Sequence, residues 1–247
     1  MDLEYIRPAD IEHRSFEIIA SELGGREFPP EQRPIIMRCI HTTADFDYAD
    51  NLYFSPGAVE KAKSLLRSGT LIVTDTNMAL SGINKPALAR HGCEAVCFMA
   101  DPETAAAAKA QGMTRAAASV DRAAALNRPL IYVSGNAPTA LLRICEHHEK
   151  GDFTPSLVIG MPVGFVNVVQ SKELLIASGI PCIVARGRKG GSNVAAATVN
   201  ALLYALDAET NELFSPKHGD FSREAPEAAP PLPPSPQEKG AGGGGTV

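Results

Sequence analysis

Five short runs of consecutive apolar, β-favouring residues recur along the chain. Each run is four to six residues long and is soon broken by Gly, Asn, Asp or Pro. Because the hydrophobicity is continuous instead of alternating, each run predicts a strand that is covered on both faces. The runs are Thr70–Asp75, Ala95–Met99, Leu130–Ser134, Leu157–Gly160 and Cys182–Arg186.

Stretches rich in Ala and Leu lie between these runs and have the spacing of helices. An alternation of strands and helices is typical of a parallel sheet with right-handed crossover connections. We therefore predict an α/β fold, a three-layer, doubly wound parallel sheet of about five strands, flavodoxin-like and too small for an eight-stranded TIM barrel. The predicted helices are Pro56–Arg67, Arg115–Leu126, Pro138–Lys150, Lys172–Ser178 and Asn193–Leu206, with Pro8–Glu22 and Pro34–His41 before the first strand.

The composition changes sharply near residue 207. Residues 224–247 contain six Pro and five Gly and include the run Gly242–Gly245. Such a segment buries too little apolar surface to offset the entropy that is lost on ordering. The sequence predicts one folded domain, residues 1–207, followed by a Pro/Gly-rich, disordered tail, residues 208–247.

Composition and charge restrict the class of protein. The 247-residue chain is 45% hydrophobic and carries a net charge of −5, so no basic surface favours nucleic acid. No apolar run approaches the roughly 20 residues of a membrane helix, and the acidic start Met1–Glu4 does not resemble a signal peptide. Five Cys, an odd number, favour reduced thiols over a disulfide framework. We expect a cytoplasmic protein that binds neither nucleic acid nor membranes.

Small and polar residues follow the predicted strands, at the edge where an open parallel sheet binds ligands. The segment Arg186–Ser192 holds three cations and three glycines between a strand and a helix. Backbone N–H groups and the helix dipole favour an anion there, although a tight turn with solvated charges would have the same composition. A nucleotide site has weak support, because the chain has neither GxxxxGK[ST] nor GxGxxG after the first strand. A ligand with several separated carboxylates fits better, since Arg115 supplies another cation.

Other reactive residues carry less information, with one exception. Cys93 and Cys97 predict buried thiols more than zinc ligands, because no second ligand pair follows them. No GxSxG motif indicates a serine nucleophile. His41 is different, since it ends an apolar segment and precedes the polar turn Thr42–Asp45. This position suits either a helix-capping histidine or an acid/base group.

A series of specific motifs runs through most of the chain. The segments are Tyr5–Arg7, Arg14–Phe16, Ile40-His41, Phe54–Pro56, Gly135–Leu141 (GNAPTAL), Gly160–Val166 (GMPVGFV), Ser171–Glu173 (SKE) and Arg186–Ser192 (RGRKGGS). In this order, and over nearly all of residues 4–206, the chain resembles the precorrin-8X methylmutase family, also called cobalt-precorrin-8 methylmutase in the anaerobic route of cobalamin biosynthesis.

The resemblance implies an isomerase that moves a methyl group from C-11 to C-12 of a tetrapyrrole, giving hydrogenobyrinate from precorrin-8X. It implies no redox cofactor, no enzyme-bound metal and a homodimer. The family's acid/base histidine falls on His41 and its substrate-binding serine on Ser15. Such a substrate has many carboxylates around an apolar macrocycle, and it calls for Arg and backbone donors at its rim. Our candidates for these contacts are Arg115, Asn136, Arg186 and Arg188, with Thr76 and Thr114.

Two alternatives stay open beside the enzyme. A non-catalytic tetrapyrrole-binding or carrier protein would keep the same pocket, but the retained His41 favours turnover. A nucleotide-phosphate binder would use the segment Arg186–Ser192. The sequence does not distinguish a metal-free substrate from a cobalt-loaded one.

Overall fold

A six-stranded sheet lies at the centre of the computed structural model, which describes residues 3–210. Its order is β1-β6-β5-β4-β2-β3, and every neighbouring pair except β1–β6 is parallel. If the five parallel strands β2 to β6 are renumbered 1 to 5, their order across the sheet is 2-1-3-4-5, which is the flavodoxin-like order. The predicted fold class and all five predicted strands are thus confirmed. The strands are β1 (Leu52–Phe54), β2 (Leu71–Thr74), β3 (Ala95–Cys97), β4 (Leu130–Ser134), β5 (Leu157–Gly160) and β6 (Cys182–Ala185).

The antiparallel edge strand β1 is absent from the sequence-based prediction. Its Tyr53 lies opposite Val184 of β6. Just beyond it, Ser55 N donates to the carbonyl of Cys182 at 2.9 Å, and Cys182 N donates to Ser55 Oγ at 2.8 Å. Three residues are too few to produce a periodic signal, although an antiparallel strand at the edge of a parallel sheet is common.

Helices cover both faces of the sheet and form two apolar cores. One core packs α1, α2, α4, α6 and α11 against Ile72, Ile131 and other residues of the same face, and the second packs α8–α10 against Val73 and Tyr132. Neighbouring strand residues such as Ile72 and Val73 enter different cores because side chains alternate along a strand. The helices are α1 (Ile11–Glu22), α2 (Arg33–Thr43), α3 (Tyr48–Asn51), α4 (Ala58–Arg67), α5 (Asn77–Gly82), α6 (Lys85–Arg90), α7 (Pro102–Gln111), α8 (Arg115–Ala125), α9 (Pro138–Lys150), α10 (Val168–Ala177) and α11 (Ser192–Thr210).

Every predicted helix is confirmed, and α9 has the predicted bounds. The largest shifts are of four residues: α10 begins at Val168 instead of Lys172, and α11 ends at Thr210 instead of Leu206. A 3-10 turn, Pro8–Asp10, precedes α1. The structure adds α3 and α5–α7, of which α5 and α6 have only six residues each. None of the described helices is both long enough and apolar enough to span a membrane.

The last turn of α11 crosses the predicted domain boundary at residue 207. Asp207 accepts a hydrogen bond from Arg90 Nε at 3.0 Å, and Glu209 accepts one from the buried ammonium of Lys63 at 2.9 Å. Residues 211–247, most of the predicted tail, lie outside the described residues.

We expect a chain that ends at residue 210 to keep the thermal midpoint of the full-length protein to within about 2 °C. A chain that ends at residue 206 loses the carboxylates of Asp207 and Glu209. Asp207 also contacts the imidazole of His91, and Glu209 also forms an ion pair with Arg67. Surface ion pairs contribute about 0.2–1 kcal/mol each, so this second midpoint falls by a few degrees. Differential scanning calorimetry of the three chains measures the difference. A large drop already at residue 210 would mean that the later residues stabilise the domain.

Candidate active site

The candidate site lies at the carboxyl edge of the sheet, around the ends of β2 and β4. These strands are neighbours in the sheet. The chain continues from β2 to β3 on one side and from β4 to β5 and β6 on the other, so a crevice opens between the loop after β2 and the loop after β4. The loop after β2 begins with Asp75 and Thr76, and the loop after β4 is Gly135–Ala137. Each loop holds one of the candidates from the sequence, Thr76 and Asn136.

The side chain of Asp75 holds the loop after β4, which borders this crevice. Its buried carboxylate accepts hydrogen bonds from the backbone N–H of Gly135, Asn136 and Ala137 at 2.8–2.9 Å, and from Ser134 Oγ at 3.0 Å. Burial raises the pKa of Asp75, and the four hydrogen bonds oppose that shift by stabilising the carboxylate. One side chain therefore fixes the whole turn that carries Asn136.

The start of α11 closes tightly over the same turn. Thr76 Oγ1 lies 2.7 Å from Ser192 Oγ and accepts a hydrogen bond from Ala79 N, so Thr76 is the N-cap of α5. A Cβ on Gly135 would lie 2.6 Å from Ser192 Cα, a distance that leaves no room for a side chain. The predicted contact Thr76 is therefore half-buried and already bonded within the protein.

The glycine-rich segment Gly187–Gly191 is held by a lysine below it. Lys172 of α10 is fully buried, and its Nζ donates to the carbonyls of Gly187 at 2.9 Å and Lys189 at 2.8 Å. Burial lowers the pKa of Lys172 to about 8. Gly191 N donates to the carbonyl of Met161 at 2.8 Å, which joins this segment to the loop after β5.

The three cations of Arg186–Ser192 have different partners. Arg186 is exposed and forms a two-pronged ion pair with Glu173 of α10, at 2.9 and 2.5 Å. Lys189 Nζ lies 2.6 Å from carboxylates of both Asp45 and Asp47, and this contact lowers the pKa of Asp45. Arg188 stacks on the ring of Phe165, 5.6 Å from its centroid. The charges of Arg186 and Lys189 are therefore paired within the protein, at its surface.

Arg115 and Thr114 lie at a neighbouring point of the edge, where α8 begins. Thr114 is the N-cap of α8, and its Oγ1 lies 2.8 Å from the hydroxyl of Thr139 in the first turn of α9. Arg115 and Asn136 are both exposed. The two helix N-termini therefore stand side by side and present one cation and one amide to solvent.

His41 stacks on Phe16, the residue that follows Ser15 in α1. His41 is half-buried in the last turn of α2, and its imidazole stacks on Phe16 with the ring centroids 5.0 Å apart. Ser15, beside Phe16 on α1, donates its hydroxyl to the carbonyl of Ile11 at 2.9 Å. Lys189 ties the turn after α2 to the glycine-rich segment, so His41 lies near the same edge as the other candidates.

Sequence reasoning missed the two buried ionic residues that shape this edge, Asp75 and Lys172. It also missed Arg38, whose guanidinium lies over the ring of Phe16 at 4.8 Å, one turn before His41. No cluster of metal-ligating side chains occurs among residues 3–210. The five cysteines are all free, and burial raises the pKa of Cys39 to about 12.

Comparisons with known proteins give the family of the chain. A family model described as "Precorrin-8X methylmutase" matches residues 10–205. The "Cobalt-precorrin-8 methylmutase" of Salmonella typhimurium is 50% identical, over 83% of this chain and 99% of that protein. The "Precorrin-8X methylmutase" of Pseudomonas aeruginosa is 36% identical, over 81% and 97%. The crystal structure of the precorrin-8x methyl mutase from Thermus thermophilus has a TM-score of 0.75 and 40% identity, and the match covers 81% of this chain and 98% of that one.

The doubly wound fold, the ordered cationic edge and these matches define an isomerase of the methylmutase class, which moves a methyl group within one molecule. The chain belongs to the precorrin-8X methylmutase family of cobalamin biosynthesis. The alternative of a non-catalytic carrier is not favoured, since the matched relatives are named as enzymes.

Proposed function

We propose that the protein converts precorrin-8X, or its cobalt-containing form, by moving the methyl group from C-11 to C-12 of the macrocycle. The observation that carries this proposal is the position of His41. Its half-buried ring lies against Phe16, and Lys189 ties the turn that follows His41 to the segment that carries Arg188. An imidazole between an apolar ring and a polar edge suits a substrate with an apolar centre and a carboxylate rim.

The reaction needs proton placement and orientation from the protein more than a nucleophile. A methyl shift to the neighbouring carbon is a rearrangement in which the substrate's own electrons form one C–C bond as the other breaks. We propose that His41 donates a hydrogen bond or a proton near ring C and so favours the tautomer from which the methyl migrates. Phe16 fixes the plane of the imidazole, and Ser15 binds the substrate beside it.

The carboxylates of the substrate are proposed to bind along the edge, at Arg115, Asn136, Arg186 and Arg188, with the hydroxyls of Thr76 and Thr114 near them. Charge-assisted hydrogen bonds of this kind are stronger than neutral ones. Arg186 must exchange Glu173 for a substrate carboxylate, because the ion pair with Glu173 uses two nitrogens of its guanidinium. Arg115 and Arg188 meet no such competition among the described carboxylates.

We further propose that the protein works as a homodimer in the cytoplasm. The N-terminal segment exposes several large apolar side chains, including Leu3, Tyr5 and Ile11, which are 75%, 86% and 53% exposed. An apolar patch of this kind fits an interface between two copies. The five free cysteines fit a reducing compartment.

Turnover tests the proposed function directly. Precorrin-8X and its cobalt-containing form are mixed separately with the protein, and the absorbance spectrum is followed, because methyl migration changes the conjugation of the macrocycle. We expect the spectrum of the rearranged product with at least one of the two. A stable complex that keeps the substrate spectrum in both cases would support a carrier instead.

A further inference from the structure

We propose that the exposed loop Val163–Val166 and the side chain of Arg188 form a platform for the substrate. Phe165 and Val166 contact one face of the macrocycle, Arg188 binds a carboxylate at its rim, and Lys172 is the positioning residue that holds the platform in place. This inference rests on the proposed function, because the occupant is the tetrapyrrole substrate. It adds an apolar contact surface to the polar contacts predicted from the sequence.

The loop exposes three large apolar side chains. Phe165 is 84% exposed, Val166 77% and Val163 46%. A single exposed apolar residue is ordinary on a protein surface, but three within four residues on one loop indicate a binding surface. The loop follows β5 directly, so it lies at the carboxyl edge where the candidate site is.

Arg188 gives this surface a charge that matches the rim of the substrate. Its guanidinium stacks on Phe165, and its carbonyl accepts a hydrogen bond from Gly164 N at 3.2 Å. Asp45 and Asp47 neutralise Lys189, and Glu173 neutralises Arg186. Within residues 3–210 no carboxylate contacts Arg188 in this way. An apolar ring with an unneutralised guanidinium beside it is complementary to a flat apolar macrocycle that carries carboxylates.

Close packing and hydrogen bonds hold the backbone below the exposed tip of the platform. Gly190 packs so closely on the carbonyl of Met161 that any side chain at this position would collide with it. Lys172 binds two carbonyls of the glycine-rich segment from inside the protein. Burying an ammonium group is unfavourable unless its donors are used, and here the donors fix the backbone on both sides of Arg188. A loop ordered in advance loses less entropy on binding and so binds more tightly.

Equilibrium titration with the product, hydrogenobyrinate, tests the platform. Phe165→Ser and Arg188→Gln should each raise the Kd by roughly 10-fold or more, because one loses a large apolar contact and the other a charge-assisted one. Leu126→Ser is the matched control. Leu126 is 40% exposed and lies at the C-terminal end of α8, whereas Arg115 lies at the N-terminal end. The Kd of this variant should equal that of the wild type. Both platform residues are exposed, so circular dichroism should show normal folding.

Lys172→Met tests the positioning role. Methionine fills the same volume but cannot donate to the two carbonyls, so we expect KM to rise several-fold with a much smaller change in kcat. Lys172→Arg keeps a donor and should recover part of the loss. A purely structural role would lower the thermal midpoint and leave KM unchanged.

The outcomes also separate this inference from the proposed function. Wild-type turnover combined with unchanged Kd values for Phe165→Ser and Arg188→Gln would overturn the platform and leave the proposed function intact. The same result with a loss of self-association in light scattering would make the loop an interface between copies, which also overturns the platform. Absence of both binding and turnover in the wild type would overturn the proposed function itself.

Discussion

The variant His41→Ala loses about 10²–10⁴-fold in kcat, while its fold and its affinity for the product stay close to those of the wild type. A positioned acid contributes about this much to a reaction that depends on proton placement. His41 lies half-buried at the end of α2, where Phe16 stacks on it, so its removal leaves a small surface cavity and no unpaired charge. The measurement is the initial rate of the absorbance change at saturating substrate.

Two further variants make this result specific. His148→Ala is the matched control, because His148 lies near the C-terminus of α9 and contacts Thr154 there; its rate should not change. His41→Asn keeps a hydrogen-bond donor without a transferable proton and should bind normally with only part of the rate. A wild-type rate in His41→Ala would mean that binding alone drives the rearrangement.

The variant Asp75→Ala unfolds roughly 10 °C below the wild type. Its three backbone donors and the hydroxyl of Ser134 lose their acceptor at once. A buried polar group without a partner costs about 1–3 kcal/mol, so the sum is about 3 kcal/mol or more, and each 1 kcal/mol lowers the midpoint by about 2–4 °C in a domain of this size. Scanning calorimetry measures the shift.

Asp50→Ala is the control for the loss of a carboxylate. Asp50 pairs with Arg26 at the surface, where solvent replaces the contact, and we expect a shift of less than about 3 °C. Asp75→Asn keeps one oxygen acceptor and should fall between the two. Equal thermal midpoints for Asp75→Ala and Asp50→Ala would show that water accepts the hydrogen bonds of the turn after β4 as well as the carboxylate does.

The parallel sheet was predictable because its strands are covered on both faces. The strands β2, β4, β5 and β6 are buried at every position, so their sequences are continuously apolar apart from a hydroxyl-bearing residue in β2 and two in β4. Most of the long helices were predictable from their runs of Ala and Leu. The ten-residue α7 was not, because it buries only Thr104 and Ala108 and therefore has no apolar stripe. The strand β1 and the helices α5 and α6 have three to six residues and give no periodic signal at that length.

The location of the candidate site was also predictable, because loops after parallel strands meet at one edge. The roles of Asp75 and Lys172 were not. Asp75 ends an apolar run and reads as the first polar residue of a turn, whereas the structure buries it with four donors. Lysines are almost always exposed, so nothing in the SKE motif indicates that Lys172 lies beneath the glycine-rich segment.

The pairing of α11 with the first half of the chain determines when the domain can fold. Hydrogen bonds join Thr76 to Ser192, Asn84 to Asn200 and Arg90 to Asp207, and the partners are 116, 116 and 117 residues apart in the sequence. Contacts between distant segments form slowly, because the intervening chain must first lose its freedom. During synthesis the core that α2 and α4 share with α11 therefore stays incomplete until α11 has left the ribosome. Substitutions on the inner face of α11 should accordingly reduce the yield of folded protein in the cell more than they reduce the activity of the molecules that fold.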